Sequence, residues 1–273
     1  MSKKQIGFLI IIAAAVFATL AFVIWPYATK QPTDQDSPEK VVDAYYIWYL
    51  DYIGDPGSND FRNPMGDRAY RDSEYLSPSF VGHVDEMLSA DTPIPADPFL
   101  CAQDIPAELS VDAVFTTGET ASVVVRSSFA GHVLTVDTQK VDNRWVITNI
   151  TCGGTPEGTA KAFYTWYLAY FGDRAAGEMN NPLIDGAYRD SGFLTDAFIQ
   201  RVEEQLDSNT PAGGGDPFLL AQDIPQAFSV DPGREADTAI VHLQFGSESV
   251  HHLQLNLERQ DGILLIDQIE LAQ

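Results

Sequence analysis

Apolar positions along this chain follow three different rhythms. Ile6 to Trp25 is an unbroken run of twenty uncharged residues. From residue 38 the spacing becomes helical: Val41, Tyr45, Trp48 and Tyr52 recur every three or four residues and predict one buried helical face. Ser37-Pro38-Glu39 in front of it supplies a capping hydroxyl, a proline suited to the first helical turn and an acid favoured at a helix N-terminus. Gly54 is a natural stop. A second helix is expected from Ser77-Pro78, carrying Phe80, Val84 and Met87. After Pro106 the rhythm alternates, predicting strands at Ser122–Ser128, His132–Thr138 and Trp145–Ile150, with Asp142-Asn143 as a two-residue hairpin turn.

The whole series is then written again. Trp48-Tyr49-Leu50 returns 118 positions later as Trp166-Tyr167-Leu168, and Tyr70-Arg71-Asp72-Ser73 as Tyr188-Arg189-Asp190-Ser191. Asp97-Pro98-Phe99-Leu100 and Ala102-Gln103-Asp104-Ile105-Pro106 return 119 positions on, as Asp216-Pro217-Phe218-Leu219 and Ala221-Gln222-Asp223-Ile224-Pro225. Thr155-Pro156-Glu157 repeats the helix start, Gly172 the stop and Thr195 the second start. Strands are expected at Thr238–Phe245, Val250–Leu257 and Ile263–Ile269, with Asp261-Gly262 as the hairpin turn. A period this long suits a domain rather than a solenoid unit. The expected organisation is a cytoplasmic start with a membrane anchor (1–27), a tether (28–37), and two α+β repeats (38–153 and 154–273). Each repeat places helices on one face of a curved antiparallel sheet, and each is expected to fold alone.

The string Tyr-x-x-Trp-Tyr-Leu, then Asn63-Pro64, then Asp97 to Pro106 resembles the bacterial domain-of-unknown-function family numbered 3828. The resemblance extends over 38–152 and 156–273. It implies a branch of the nuclear-transport-factor-2-like superfamily, an α+β cone with a pocket between helices and sheet, in exported or lipid-anchored proteins. It carries over no catalytic residue. This chain departs from the family in being tandem and in having no cysteine for a lipid anchor near its apolar run.

That run is long enough for a hydrocarbon core of about 30 Å. Lys3 and Lys4 precede it, so the positive-inside rule keeps the N-terminus cytoplasmic and both repeats outside. The bilayer is thus one expected partner, through residues 6–25. Ala18-Thr19-Leu20-Ala21 offers a rival, a cleaved signal, but cleavage there leaves Phe22-Val23-Ile24-Trp25 as an apolar stub. The chain as a whole is 45% apolar, as globular domains are, and its charge of −23 argues against nucleic acid as a partner. The two cysteines, Cys101 and Cys152, fall in the first repeat and are replaced together by Leu220 and Leu271 in the second. Loss of both at once is how a bonded pair behaves, and two packed leucines would stand in for it.

Chemistry is thinly signalled. Asp104 and Asp223 are candidate carboxylates: the superfamily resemblance implies a general base facing the cone, whereas the local pattern fits a buried acceptor at the turn into the sheet. Tyr49, Arg71 and Gln103, with Tyr167, Arg189 and Gln222, are candidate ligand-binding residues. Against this, aromatics at helical spacing pack cores, and Arg71 and Arg189 have Asp72 and Asp190 beside them. The histidines are His83, His132, His242, His251 and His252, and only His132 and His251 coincide between repeats, at a strand position expected to face solvent. No metal or cofactor spacing appears. The expected function is a tethered binding module for a protein or small-molecule ligand, the alternative a hydrolase, dehydratase or isomerase using a pocket carboxylate.

Overall fold

The computed structural model describes residues 35–55, 57–91, 93–172, 177, 180–207, 215–247 and 249–272. The apolar run 6–25 lies outside them, and among the described residues no helix is long and apolar enough to cross a membrane. Each repeat contributes a long helix, a short helix and a four-stranded antiparallel sheet in meander order. The first has α1 (Pro38–Ile53), α2 (Pro78–Ser89) and strands β1 (Leu109–Thr117), β2 (Thr120–Ser127), β3 (Val133–Val141) and β4 (Arg144–Cys152). The second has α3 (Pro156–Tyr170), α4 (Asp196–Asp207) and β5 (Ala227–Pro232), β6 (Thr238–Phe245), β7 (Ser249–Gln260) and β8 (Ile263–Leu271).

The helix starts work as the sequence predicts at three of four places. Ser77 accepts from the Phe80 amide at 3.2 Å, Thr155 from Gly158 at 3.1 Å and Thr195 from Phe198 at 3.1 Å. The exception is Ser37, whose buried hydroxyl makes no capping bond, leaving α1 to its proline and Glu39. The buried stripe of α1 is Val41, Val42, Tyr45, Tyr46, Tyr49 and Ile53. Trp48 and Tyr52 flank this stripe half-buried, because Tyr46 and Tyr49 find interior partners for their hydroxyls and take the central positions.

The sequence predicts three strands per repeat and the structure has four. The missed strands, β1 and β5, are edge strands. β1 has no clean alternation because it carries a bulge between Val111 and Ala113, and β5 ends on Pro232, tolerated only at an edge. Both hairpin turns are as expected. Asp142 and Asn143 have φ of 50° and 65°, and Asp261 and Gly262 have 51° and 87°.

Side chains on the two faces of the first sheet go to different cores. Val123, Val125, Leu134, Val136 and Ile147 point at α1 and α2. Val124 and Val133, with Ala113 and Phe115, point the other way, into the core of the second repeat. What they meet is α3, which contacts β1 to β4 on one side and β5, β6 and β8 on the other. Small residues make this possible: Gly158, Thr159, Ala160, Ala162 and Thr165 are all buried, where a larger side chain would hold the layers apart. Polar ties fix the register. Lys161 Nζ lies 2.5 Å from Asp137 Oδ2 and 3.3 Å from Thr151 Oγ1, and Arg126 donates to the Ser191 carbonyl at 2.8 Å.

Cys101 and Cys152 are joined, linking the Asp97–Ala102 loop to the end of β4. The leucines of the second repeat do not replace the bond with packing. Leu220 touches the core, but Leu271 is 60% exposed. The bond closes a separation of 51 residues. Reducing it should cost the protein about 4 kcal/mol in the chain-entropy account. Denaturant melts with and without reductant check this, and coincident curves would refute it.

Candidate functional site

The Asp-Pro-Phe-Leu motif makes the same knot in both repeats. Asp97 Oδ1 accepts from the amides of Phe99 and Leu100 at 2.8 and 3.1 Å, while Oδ2 accepts from the Tyr49 hydroxyl at 2.6 Å. Asp216 does likewise with Phe218, Leu219 and Tyr167, at 2.8, 3.1 and 2.6 Å. The loop returns on itself through a bond from the Cys101 amide to the Asp97 carbonyl, which places Cys101 at φ 54°; its counterpart Leu220 is at 48°. Burial holds both carboxyls above their ordinary range, and the tyrosine and two amides pull them part of the way back.

The knot drives an aromatic ring into the space between helix and sheet. Phe99 is wholly buried among Tyr45, Tyr49, Tyr70 and Phe80, with centroids 5.3 to 5.9 Å away. Tyr46 donates its hydroxyl to the Phe99 carbonyl at 3.0 Å, and Tyr164 to that of Phe218 at 2.7 Å. The spaces between helices and sheet are therefore occupied by the protein's own side chains. Tyr49 and Tyr167, candidates for ligand contact, are committed to this knot.

The other candidates lie elsewhere. Gln103, Asp104, Gln222 and Asp223 are exposed in the bends after the knot rather than acting as buried acceptors. Gln103 and Asp104 border a shallow groove of about 350 Å³ whose floor includes Ile53, Met65 and Leu100. Arg71 bonds Asp85 of α2 at 2.9 Å, and Arg189 bonds Glu203 of α4 at 2.5 Å, so both ion pairs reach across to the following helix. Tyr70 shares Asp85 with Arg71. The candidates thus separate into a buried knot, an exposed bend and a surface ion pair. They do not converge. His132 is half-buried rather than solvent-facing, bridging Ser127 Oγ at 2.8 Å and the Cys101 carbonyl at 3.1 Å.

A different site emerges on the outer face of the second sheet. It is the face that, in the first sheet, receives α3; in the second sheet it is an open groove of about 770 Å³ lined by residues including Asp231, Ile240, His242, His252, Gln254 and Glu270. Strand pairing gives the correspondence. Val124 faces Thr135 and Ile240 faces Gln254, while Arg126 faces Val133 and His242 faces His252. Thr135 faces Thr151 and Gln254 faces Glu270. Apolar docking residues have been exchanged for polar ones: Val133 for His252 and Ala113 for Asp231. His242 Nδ1 lies 2.5 Å from His252 Nδ1, and its Nε2 lies 3.0 Å from Asp231 Oδ2. Both histidines are plain in the sequence, but their meeting is not. The signal available was the register of the β6–β7 hairpin, which sets residues ten apart opposite each other. Among the described residues no group of three or more His, Cys, Asp or Glu side chains could hold a metal ion.

No family profile and no curated protein matches the chain. Among solved structures, a chain of the type VI native effector–immunity complex Tae3–Tai3 from Ralstonia pickettii is similar at 23% identity and a TM-score of 0.33, over 43% of this chain and 96% of that one. A protein of unknown function from Bacteroides thetaiotaomicron is similar at 25% identity and 0.32, over 42% and 88%. An Ntf2-like protein involved in plasmid conjugation aligns with 77% of this chain and 90% of its own, at 15% identity and 0.19. At TM-scores this low the likenesses carry no weight for function.

Proposed function

We propose that the chain is a membrane-anchored, extracytoplasmic binding module, held by the apolar run 6–25 and engaging a protein partner at the outer face of its second sheet. The observation that carries this reading is the pairing of one occupied sheet face with one open counterpart. The first sheet's outer face holds a helix; the second presents an equivalent surface with nothing on it among the described residues. Filled interiors point the same way, since they leave the outer surface for recognition. On this reading each repeat is a cone of the nuclear-transport-factor-2-like kind whose chamber has been packed shut. The enzymatic alternative has less support, because Asp104 and Asp223 are exposed and Asp104 borders an open groove.

The partner's chemistry follows from the occupied face. There Lys161 enters between Asp137 and Thr151; the corresponding positions are Asn256 and Glu270, so a basic side chain on a docking helix keeps an anionic counterpart. Ile240 keeps the apolar centre. A second copy of this chain is the wrong occupant. The exposed side of its α1 carries Asp43 where α3 carries Lys161, and that aspartate would meet Glu270. A basic partner also suits a chain of charge −23, which would steer its approach.

A photo-crosslinking residue placed at Gln254 in intact cells should give one discrete adduct in carbonate-washed membranes, abolished by Glu270→Lys and weakened by raised salt. The same residue at Glu86 on α2 should give none. An adduct indifferent to Glu270→Lys, or none at Gln254, would defeat the proposal. Recovery of the chain as a soluble species beginning near Phe22 would replace the anchor with a cleaved signal.

A further inference from the structure

We propose that His242 and His252 form a two-histidine site for a divalent transition-metal ion such as Zn²⁺, Ni²⁺ or Cu²⁺, with Asp231 orienting His242 from behind. The two residues are direct cross-strand partners on β6 and β7, so the sheet itself fixes their separation. Their Nδ1 atoms point at one another across 2.5 Å, which is a convergence of two donor atoms on one place. Only one proton fits between them, so at least one Nδ1 carries a lone pair.

Asp231 decides which nitrogen of His242 is free. Its Oδ2 lies 3.0 Å from His242 Nε2, and a carboxylate there keeps the proton on Nε2, leaving Nδ1 as the ligand atom. This carboxylate–histidine arrangement orients imidazoles at metal centres and raises their basicity. His252 reaches the same state by moving its own proton to Nε2, and its exposure leaves that nitrogen to water. An ion at about 2.0–2.1 Å from each nitrogen requires the pair to open slightly, which an exposed ring permits by rotating. Imidazole donors select Zn²⁺, Ni²⁺ and Cu²⁺ over Mg²⁺ and Ca²⁺.

Two protein ligands leave coordination positions open. These face the groove whose walls carry Gln254 and Glu270, so water or a donor from a bound molecule completes the ion. The corresponding pair in the first repeat, Arg126 and Val133, cannot bind metal, and that face is covered by α3. The site therefore belongs to the second repeat alone. It shares the groove with the proposed docking face but does not depend on any partner.

Copper alone is a sufficient probe. The tag-free full chain, purified in detergent and given one equivalent of Cu²⁺, should show an electron paramagnetic resonance spectrum with hyperfine coupling to two imidazole nitrogens. His242→Gln and His252→Gln should each remove the two-nitrogen signature and weaken Cu²⁺ binding at least tenfold in calorimetry. Asp231→Asn should keep the signature and weaken binding roughly 10- to 100-fold, and His83→Gln should change nothing. Acid should weaken binding, since protons compete for the same lone pairs. A spectrum with oxygen donors only, or two-nitrogen binding that survives both histidine substitutions, would overturn the proposal. Neither result would touch the crosslinking at Gln254, so the two readings fail separately.

Discussion

Expressed alone, residues 36–154 should melt cooperatively, and residues 154–273 should not. The two repeats are near-copies in sequence yet unequal in what they need. Every residue of the first core comes from the first repeat. The second core includes Val124 and Val133 of the first sheet, with Ala113 and Phe115 packed against it, and Phe115 meets Phe228 at 5.9 Å. Cutting at residue 154 uncovers the second face of α3, where Thr159, Ala162 and Thr165 are buried, and takes the Arg126 guanidinium from over the Phe193 ring. Each large apolar side chain uncovered is worth about 1.5–3 kcal/mol, so several together consume most of the roughly 5–15 kcal/mol that holds a domain folded. Circular dichroism melts of the two fragments decide it. A sharp transition for 154–273 close to that of the whole chain would show that the repeats are self-sufficient. Adding 36–154 in trans should restore structure to the second fragment, because the missing surface is then present.

How far the chain could be read in advance depended on whether a feature is local. The repeat, the prolines and hydroxyls at the helix starts, and the Asp142-Asn143 and Asp261-Gly262 turns all act over a few residues, and they stand where the pattern places them. The joined Cys101 and Cys152 were legible because the second repeat lacks both. Less legible were features set by what lies across the fold. β1 shows no clean alternation, since a bulge interrupts it and α1 covers one of its faces and α3 the other. The insertion of α3 between two sheets could have been suspected from Gly158 and Thr165 standing where α1 has Lys40 and Ile47; Ile47 is 71% exposed. The groove on the second sheet needed strand register to bring His242 to His252.

The sequence pattern points to a buried carboxylate at Asp104, and the structure buries Asp97, seven residues earlier. Both stand in the same conserved-looking string of the two repeats, and no periodicity distinguishes an Asp that folds its loop onto α1 from one that follows in the bend. What distinguishes them is Tyr49, forty-eight residues earlier, whose hydroxyl reaches Asp97. Three tyrosines stand on that buried stripe and only Tyr49 takes a carboxylate: Tyr46 donates to the Phe99 carbonyl, and the buried Tyr45 hydroxyl has no hydrogen-bond partner among the described residues, so the stripe alone does not single out Asp97.

Replacing Asp97 or Asp216 with alanine should therefore be among the most damaging single changes in the protein. Each substitution strands three buried donors, the tyrosine hydroxyl and two amides, at about 1–3 kcal/mol apiece, for a total loss of at least about 3 kcal/mol. Asp104→Asn and Asp223→Asn, in the exposed bends, should shift stability by less than about 0.5 kcal/mol. Asparagine at 97 or 216 is the informative change. Its carbonyl still accepts from the two amides, and it removes a carboxylate whose proton affinity the fold has raised by burial. The sign of the pH effect follows. A group with a folded pKa above its unfolded one contributes stability that is fully present below the ordinary carboxylate range and is lost as pH rises through the folded value. Acidifying from neutral should thus stabilise the wild type, and relief of self-repulsion in a chain of charge −23 adds to the same trend. The trend must reverse in stronger acid, where Asp85, held low by Tyr70 and Arg71, gains a proton and loses those bonds. Melting temperatures across this range, for wild type and the double variant Asp97→Asn, Asp216→Asn, separate the contributions. The variant should keep the part due to net charge and lose the rest, giving a shallower rise. An unchanged slope, or an alanine variant as stable as wild type, would mean that these carboxylates do not hold the loops to their helices.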